Sequence, residues 1–147
     1  MNASLAGKVA LVTGAGKNIG RAIAMRLAAD GAAIVVNGRS DEGAIKAVAD
    51  EIIAFGGRAM AYRADISKPE EVAAMAAAVA AQFGGVDILV TNAGLRRQTR
   101  FLEMSFAEWR EILSVALDGA FIVTQAFAPQ MIARGGGSII GLSGIST

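Results

Sequence analysis

The 147-residue sequence contains no cysteine and no histidine. Disulfides, thiolate or imidazole metal sites, cysteine nucleophiles and a Ser-His-Asp triad are therefore excluded within this chain. Tyrosine occurs once, as Tyr62, with no lysine four residues on. A large net charge is also missing, since 14 Lys+Arg stand against 13 Asp+Glu. Without a global field, neither nucleic acid nor a membrane surface is expected as a partner. The first eight residues, Met1 to Lys8, lack a basic segment followed by a long apolar one. No secretory signal is read there, and a cytoplasmic location is expected. The charge-free stretches Val72 to Val86 and Gly119 to Ala133 are too short to span a bilayer and are expected to be buried helices. No linker, repeat or low-complexity segment interrupts the chain.

What is present is apolar and regularly patterned. Hydrophobic residues make up 54% of the sequence, enough for one substantial core, and a single domain over 1–147 is expected. Short runs rich in β-branched residues mark strands at Val9 to Val12, Ala33 to Val36, Ala59 to Arg63, Ile88 to Val90 and Ser138 to Ile140. Helical patterns lie between them at about 19–30, 41–55, 69–83 and 105–134. Two helix starts are signposted by capping boxes, Ser67-Lys-Pro69-Glu70 and Ser105-Phe-Ala-Glu108. Alternating strands and helices imply parallel strands joined by crossovers, an α/β doubly wound parallel sheet with helices on both faces.

Directly after the first strand, and opening the first helix, stands Thr13-Gly-Ala-Gly-Lys-Asn-Ile-Gly20. That placement is the context of a dinucleotide fingerprint on a Rossmann-type sheet. Gly14 permits the tight turn, Gly16 leaves room for backbone near phosphates, and Gly20 allows close helix packing. The helix N-terminus offers free N–H groups and the positive end of its dipole to a pyrophosphate. Asn18 stands where a glycine is the usual choice, and asparagine tolerates a left-handed backbone. A P-loop is excluded, because Gly16-Lys17 would require glycine at Leu11 and Ser or Thr at Asn18.

The glycine loop, Asp65-Ile66 after the third strand, Thr91-Asn92-Ala93-Gly94 after the fourth, and a long helix with Trp109 and Gly119 together resemble the short-chain dehydrogenase/reductase family. The 3-oxoacyl-carrier-protein reductases are the sub-group they bring to mind. The resemblance covers essentially the whole chain. It implies that Thr13, Gly14, Gly16, Lys17, Asn18, Ile19 and Gly20 form the cofactor's phosphate loop. It further implies that Asp65 bonds the adenine amino group, that Ile66 lines the adenine pocket and that Asn92 braces the central strands. Ala93 and Gly94 would continue the cradle, with Gly94 letting the cofactor ribose approach.

At the end of the second strand, Asn37-Gly38-Arg39-Ser40 has no carboxylate to bond a ribose 2′-hydroxyl. Arg39 offers a fork suited to a 2′-phosphate and Lys17 a second positive charge, with Asp41 nearby to weaken the field. NADP is expected over NAD.

The resemblance also implies hydride transfer between nicotinamide and a carbonyl or secondary alcohol, with a tyrosine-lysine pair, a serine and an asparagine handling the proton. Here Ala116 occupies the relay asparagine's place, and the serine position falls on Gly144, with Ser143 before it and Ser146 after it. Ser143 is the candidate catalytic serine. No Tyr-x-x-x-Lys occurs in these residues, so the sequence is expected to be the N-terminal part of a longer domain, its sheet incomplete at the C-terminus. Ala116 and Gly144 equally fit a non-catalytic nucleotide-binding or interaction module on the same fold. A hydrolase elbow at Gly141-Leu-Ser143-Gly144 fails for want of glycine at Ile145 and of any histidine. Arg96, Arg97 and Arg100 border the substrate side, where they either draw an anionic substrate or simply solvate a loop. The apolar helix around Trp109 to Ile132 implies, by resemblance, a homo-oligomer, dimer or tetramer.

Overall fold

A computed structural model describes residues 3–143. Five parallel strands form one sheet: β1 (Val9–Val12), β2 (Ala33–Gly38), β3 (Ala59–Arg63), β4 (Ile88–Thr91) and β5 (Ser138–Gly141). Their spatial order is β3-β2-β1-β4-β5, a Rossmann-like arrangement. Each connection is helical: α1 (Asn18–Ala29), α2 (Glu42–Ala54), α3 (Pro69–Phe83), and a long rod made of α4 (Phe106–Leu113), a π turn (Ser114–Asp118) and α5 (Gly119–Ala133).

Strand periodicity sorts the core into two layers. Along β1, Val9 and Leu11 face one side while Ala10 and Val12 face the other. On the first side lie Val72, Met75 and Val79 of α3 with Val123, Phe127 and Met131 of α5. On the second lie Ala24 and Ala28 of α1 with Ile45, Val48 and Ile52 of α2. Each helix thus buries a stripe at i, i+3 or i, i+4 spacing, which is what makes it stay on the sheet.

Chain order reverses direction across the sheet between β1 and β4. β1 leads outward to β2 and β3, and α3 then returns the chain to β4 on β1's other side. Such a switch point opens a crevice beyond the carboxyl ends of the two strands. The glycine loop leaves β1 and the Asn-Ala-Gly turn leaves β4 at that place.

Several expectations are corrected. Ser67 does not cap α3, because the N-cap is Lys68 and no side chain accepts a bond there. Instead the Ser67 hydroxyl donates to Asp65 Oδ1. Ser105 does cap α4, accepting from the Glu108 N–H at 3.1 Å, but Glu108 accepts from Thr99 rather than returning a bond to Ser105. Nor are the charge-free helices wholly buried. In the long helix Val115, Gly119, Val123, Phe127 and Met131 face the core, while Phe106, Leu117, Phe121 and Ile132 are largely exposed. By length and composition alone Phe106–Ala133 is apolar enough to cross a membrane, yet one of its faces is packed on the sheet.

Candidate functional site

The crevice is held by one hydroxyl and one amide. Thr13, fully buried at the end of β1, accepts from the N–H groups of Asn92 and Ala93, both at 3.0 Å, through its Oγ1. In return Asn92 Nδ2 donates to the carbonyls of Thr13 and Gly14 at 3.0 and 3.1 Å. Four bonds therefore tie the glycine loop to the β4 turn, and Asn92 braces the two central strands. This tie also explains two glycines. A Cβ on Gly20 would overlap the Gly14 carbonyl and come within 2.5 Å of Asn92 Nδ2. One on Gly14, whose φ is +63°, would meet Ala93 Cα at 3.0 Å. Gly16 has a packing reason besides the expected room near phosphates. Its missing Cβ faces Ala44 and Ile45 at 3.2 and 3.3 Å, so it lets the loop pack against the first turn of α2.

Asn18 adopts a φ of +50° and is the one non-glycine residue with positive φ among those described. The loop thus keeps its left-handed bend without glycine. Lys17 is the N-cap of α1, extended and exposed, and supplies no capping bond; no acid lies in the helix's first turn. Asp41 and Ser105 do cap α2 and α4. The uncapped N-terminus of α1, flanked by exposed Asn18 and Ile19, leaves its donors and dipole for an anion. These features fit a dinucleotide's phosphates: donors with no competing acid, a glycine cradle and a neighbouring cation.

Arg39 is exposed just past β2. Asp41 accepts from the Ala44 N–H at 2.8 Å, so the carboxylate expected to weaken the field near Arg39 is engaged in capping α2. Asp65 follows β3 and its Oδ1 accepts from both the N–H and the hydroxyl of Ser67, at 3.0 and 2.6 Å. Partial burial would raise this carboxyl, but the two Ser67 bonds, with Arg39 and Lys68 nearby, outweigh it and hold it below its ordinary value. Ile66 is placed otherwise than expected. Its side chain is only 4% exposed and packs in the core, with Gly119 leaving it room. Gly94 faces open space, with nothing within 4 Å of where a Cβ would stand.

Asn37 was legible as part of the β2 end but not as a support. Buried, it donates through Nδ2 to the Tyr62 and Ala64 carbonyls, both at 3.2 Å, while its own carbonyl accepts from the Ala15 N–H at 2.8 Å. A polar residue closing the apolar run Ala33-Ile-Val-Val36 was the available signal. Glu71, which accepts from the Asp65 N–H at 2.7 Å, left no comparable signal.

Ser143 is exposed two residues past β5, at the same end of the sheet as the glycine loop. Gly144 and Ser146 lie outside the described residues. Ala116 sits exposed within the π turn, where the Gly119 N–H reaches back to the Ser114 carbonyl. Tyr62 belongs to β3, away from the crevice mouth between β1 and β4. Of the loop arginines, Arg97 pairs with Glu111 at 2.8 Å, whereas Arg96 and Arg100 have no ion-pair partner among the described residues. Two shallow hollows open at the opposite end of the sheet, around Gly31 and Gly57 and around Asp87 and Arg134. No metal-binding cluster occurs among the described residues.

The family model described as short chain dehydrogenase matches residues 8–147. A 3-oxoacyl-[acyl-carrier-protein] reductase FabG of Staphylococcus epidermidis is 40% identical over 138 residues, covering 94% of this chain and 57% of that protein. The chain thus spans little more than half the length of such relatives. Among solved structures, a metagenomic short-chain oxidoreductase in complex with NADP superposes with a TM-score of 0.90 at 41% identity, covering 97% of this chain and 65% of that one. A 7α-hydroxysteroid dehydrogenase complexed with NADH and 7-oxo glycochenodeoxycholic acid gives 0.90 at 39% identity, covering 97% and 55%.

Proposed function

Because the chain belongs to the short-chain dehydrogenase family, we propose that it is the cofactor-binding part of an oxidoreductase that uses NADP in preference to NAD. The observation that carries this reading is the uncapped α1 N-terminus behind a glycine loop that Thr13 and Asn92 lock in place. Bound there, the cofactor supplies the hydride, exchanged with a carbonyl or secondary alcohol carbon. The N–H groups of the first turn of α1 hold the pyrophosphate, with Lys17 and Arg39 on the 2′-phosphate. Asp65 accepts from the adenine amino group, and Gly94 leaves space for the ribose. Ile66 supports that pocket from the core rather than lining it.

Ser143, at the carboxyl end of β5, is proposed to orient the substrate oxygen. The proton donor requires a longer chain, since these residues hold no Tyr-x-x-x-Lys, and the activity proposed is that of the full-length form. A cytoplasmic small-molecule enzyme is the setting proposed. Arg96 and Arg100, without an ion-pair partner among the described residues, favour an anionic substrate such as a carrier-linked acyl group, in keeping with the FabG relative. The exposed Phe106, Leu117 and Phe121 favour a homo-oligomer joined through the long helix.

The second reading, a non-catalytic nucleotide-binding or interaction module, is supported by Ala116 in the π turn and by glycine at 144, the serine position. Titration of the purified protein with NADPH and NADH, followed by nicotinamide fluorescence, tests the first reading. The expected result is binding of both with NADPH tighter by about tenfold, one charge-assisted contact's worth. Tight NADH binding with no NADPH binding overturns the cofactor assignment. Turnover with ketones and secondary alcohols, on protein already shown to bind, separates enzyme from module.

A further inference from the structure

The peptide linking Ala64 to Asp65 is gripped from both sides by side chains of two different elements, β2 and α3. Its carbonyl accepts from Asn37 Nδ2 of β2 at 3.2 Å, and its N–H donates to Glu71 Oε2 of α3 at 2.7 Å. The plane of that peptide fixes the direction in which the Asp65 side chain leaves the backbone. Its carboxylate is then held by Ser67, whose N–H and hydroxyl both bond Oδ1, and the Asp65 carbonyl accepts from the Lys68 N–H at 3.0 Å. Oδ2 accepts no hydrogen bond among the described residues, so one oxygen is held and the other is left to a ligand.

We propose that Glu71, together with Asn37 and Ser67, is a positioning residue for the adenine end of the site, holding Asp65 so that Oδ2 faces the exocyclic amino group. This rests on the dinucleotide reading of the site. Glu71 touches no ligand itself. Lys68, 3.4 Å from Glu71 Oε1, offsets the repulsion between the two carboxylates. The same arrangement makes Asn37 a junction. Its carbonyl takes the Ala15 N–H of the glycine loop while its amide fixes the Asp65 peptide, so the phosphate and adenine ends of the site share one buried residue. A directed acceptor discriminates between amino and carbonyl substituents; a loosely held one adjusts to either.

The test compares NADPH with its hypoxanthine analogue, in which a carbonyl replaces the 6-amino group, by fluorescence titration of the wild-type chain and of E71A, E71Q and S67A. The wild type is expected to prefer NADPH by roughly tenfold, E71A and S67A to prefer it by about twofold, and E71Q to restore most of the preference because its amide oxygen still accepts from the Asp65 N–H. An E71A variant that keeps the full preference, or that loses affinity for both dinucleotides equally, overturns the proposal. S67A provides a second reading if E71A does not fold. Wild-type binding of NADPH without preference over the analogue overturns the positioning role while leaving the dinucleotide site standing. No NADPH binding at all overturns the functional reading and this inference with it.

Discussion

Strands β1 and β4 are tied by side chains at both ends, and the two ties differ in what they leave over. At the amino end Asp87, 6% exposed, accepts from the Val9 N–H at 2.8 Å and from Arg134 through two bonds at 2.8 and 3.0 Å. The Asp87 carboxylate is neutralised there within the chain by the Arg134 guanidinium, with Lys8 nearby. At the carboxyl end Thr13 and Asn92 make an equally dense but uncharged set of bonds. The charges around it, Lys17 and Arg39, are exposed and join no ion pair among the described residues. One end is closed for stability; the other is rigid, with its cations and helix dipole unspent. Preorganisation of that kind is what a binding site needs, because little ordering remains to be done when a ligand arrives.

Breaking the carboxyl-end tie should have the largest effect. Gly20→Ala drives a methyl into the Gly14 carbonyl and the Asn92 amide, both of which are bonded. Overpacking of that kind costs about 2–3 kcal/mol of stability, and NADPH binding should fall by roughly two orders of magnitude, a few kcal/mol. Calorimetric titration and denaturant unfolding would read both; a variant that binds normally would mean the loop does not depend on this packing. Arg134→Met breaks the other end. It leaves the Asp87 carboxylate buried without its cation, and since Arg134 is itself 26% exposed, a cost of about 2 kcal/mol is expected, below that of a fully buried pair. NADPH affinity should change by less than about twofold, because the helix dipole and loop donors lie at the far end of the strands. Equal losses of affinity in the two variants would erase the distinction between the ends.

Acid sharpens the same contrast. Arg134's hydrogen bonds hold the Asp87 carboxyl below its ordinary 3.8 against the opposing effect of burial, and the Val9 N–H and Lys8 help. A carboxylate lowered on folding contributes stability that is fully present above the unfolded value and is lost as pH falls through the folded value. Unfolding free energy should therefore hold steady down to about pH 4 and decline below it. In Arg134→Met that acid decline should flatten, since the lowering partner is gone and burial remains, so protonating Asp87 no longer removes a favourable contribution. An unchanged acid profile in the variant would show that Asp87 is not the group responsible. Asp65 is lowered too, its bonds from Ser67 outweighing partial burial, so Ser67→Ala should also flatten the acid limb, by a smaller amount.

How much of this was legible in the sequence depended on how far apart the partners lie. The strands and helix faces were readable because periodicity is local, and the Ser105 cap was found where its partner is three residues on. Ser67 carried the same pattern, yet Asp65, two residues before it, competes for its hydroxyl, and a spacing rule has no means of weighing that competition. Asn37 reaches carbonyls 25 and 27 residues away, and Arg134 reaches Asp87 across 47. Those pairs exist only once the sheet has brought β2 beside β3 and β5 beside β4. Gly16 shows the limit within a motif: its position was identified, but its packing neighbour is α2, which no local reading of the loop contains. The exposed half of the long helix was missed because an apolar sequence does not say which of its faces has a neighbour.

The smallest expected effect lies within the glycine loop itself. Asn18 holds a φ of +50°, a region that costs most residues roughly 1 kcal/mol or more and asparagine less, through its short polar side chain. Glycine would remove that residual strain in the folded state but would also enlarge the freedom of the unfolded chain, and the two contributions oppose each other. Asn18→Gly is therefore expected to change stability by no more than about 0.5 kcal/mol in either direction. NADPH affinity should stay within about threefold of the parent, since the turn and its Thr13–Asn92 tie are already in place without glycine. Asn18→Val is the informative counterpart, because a β-branched residue has no comfortable left-handed conformation. It should lose about 1–2 kcal/mol and bind NADPH at least tenfold more weakly. If valine were tolerated as well as glycine, the left-handed bend would not be what shapes the loop for phosphate, and the contrast between the two ends of the sheet would rest on the Thr13–Asn92 bonds alone.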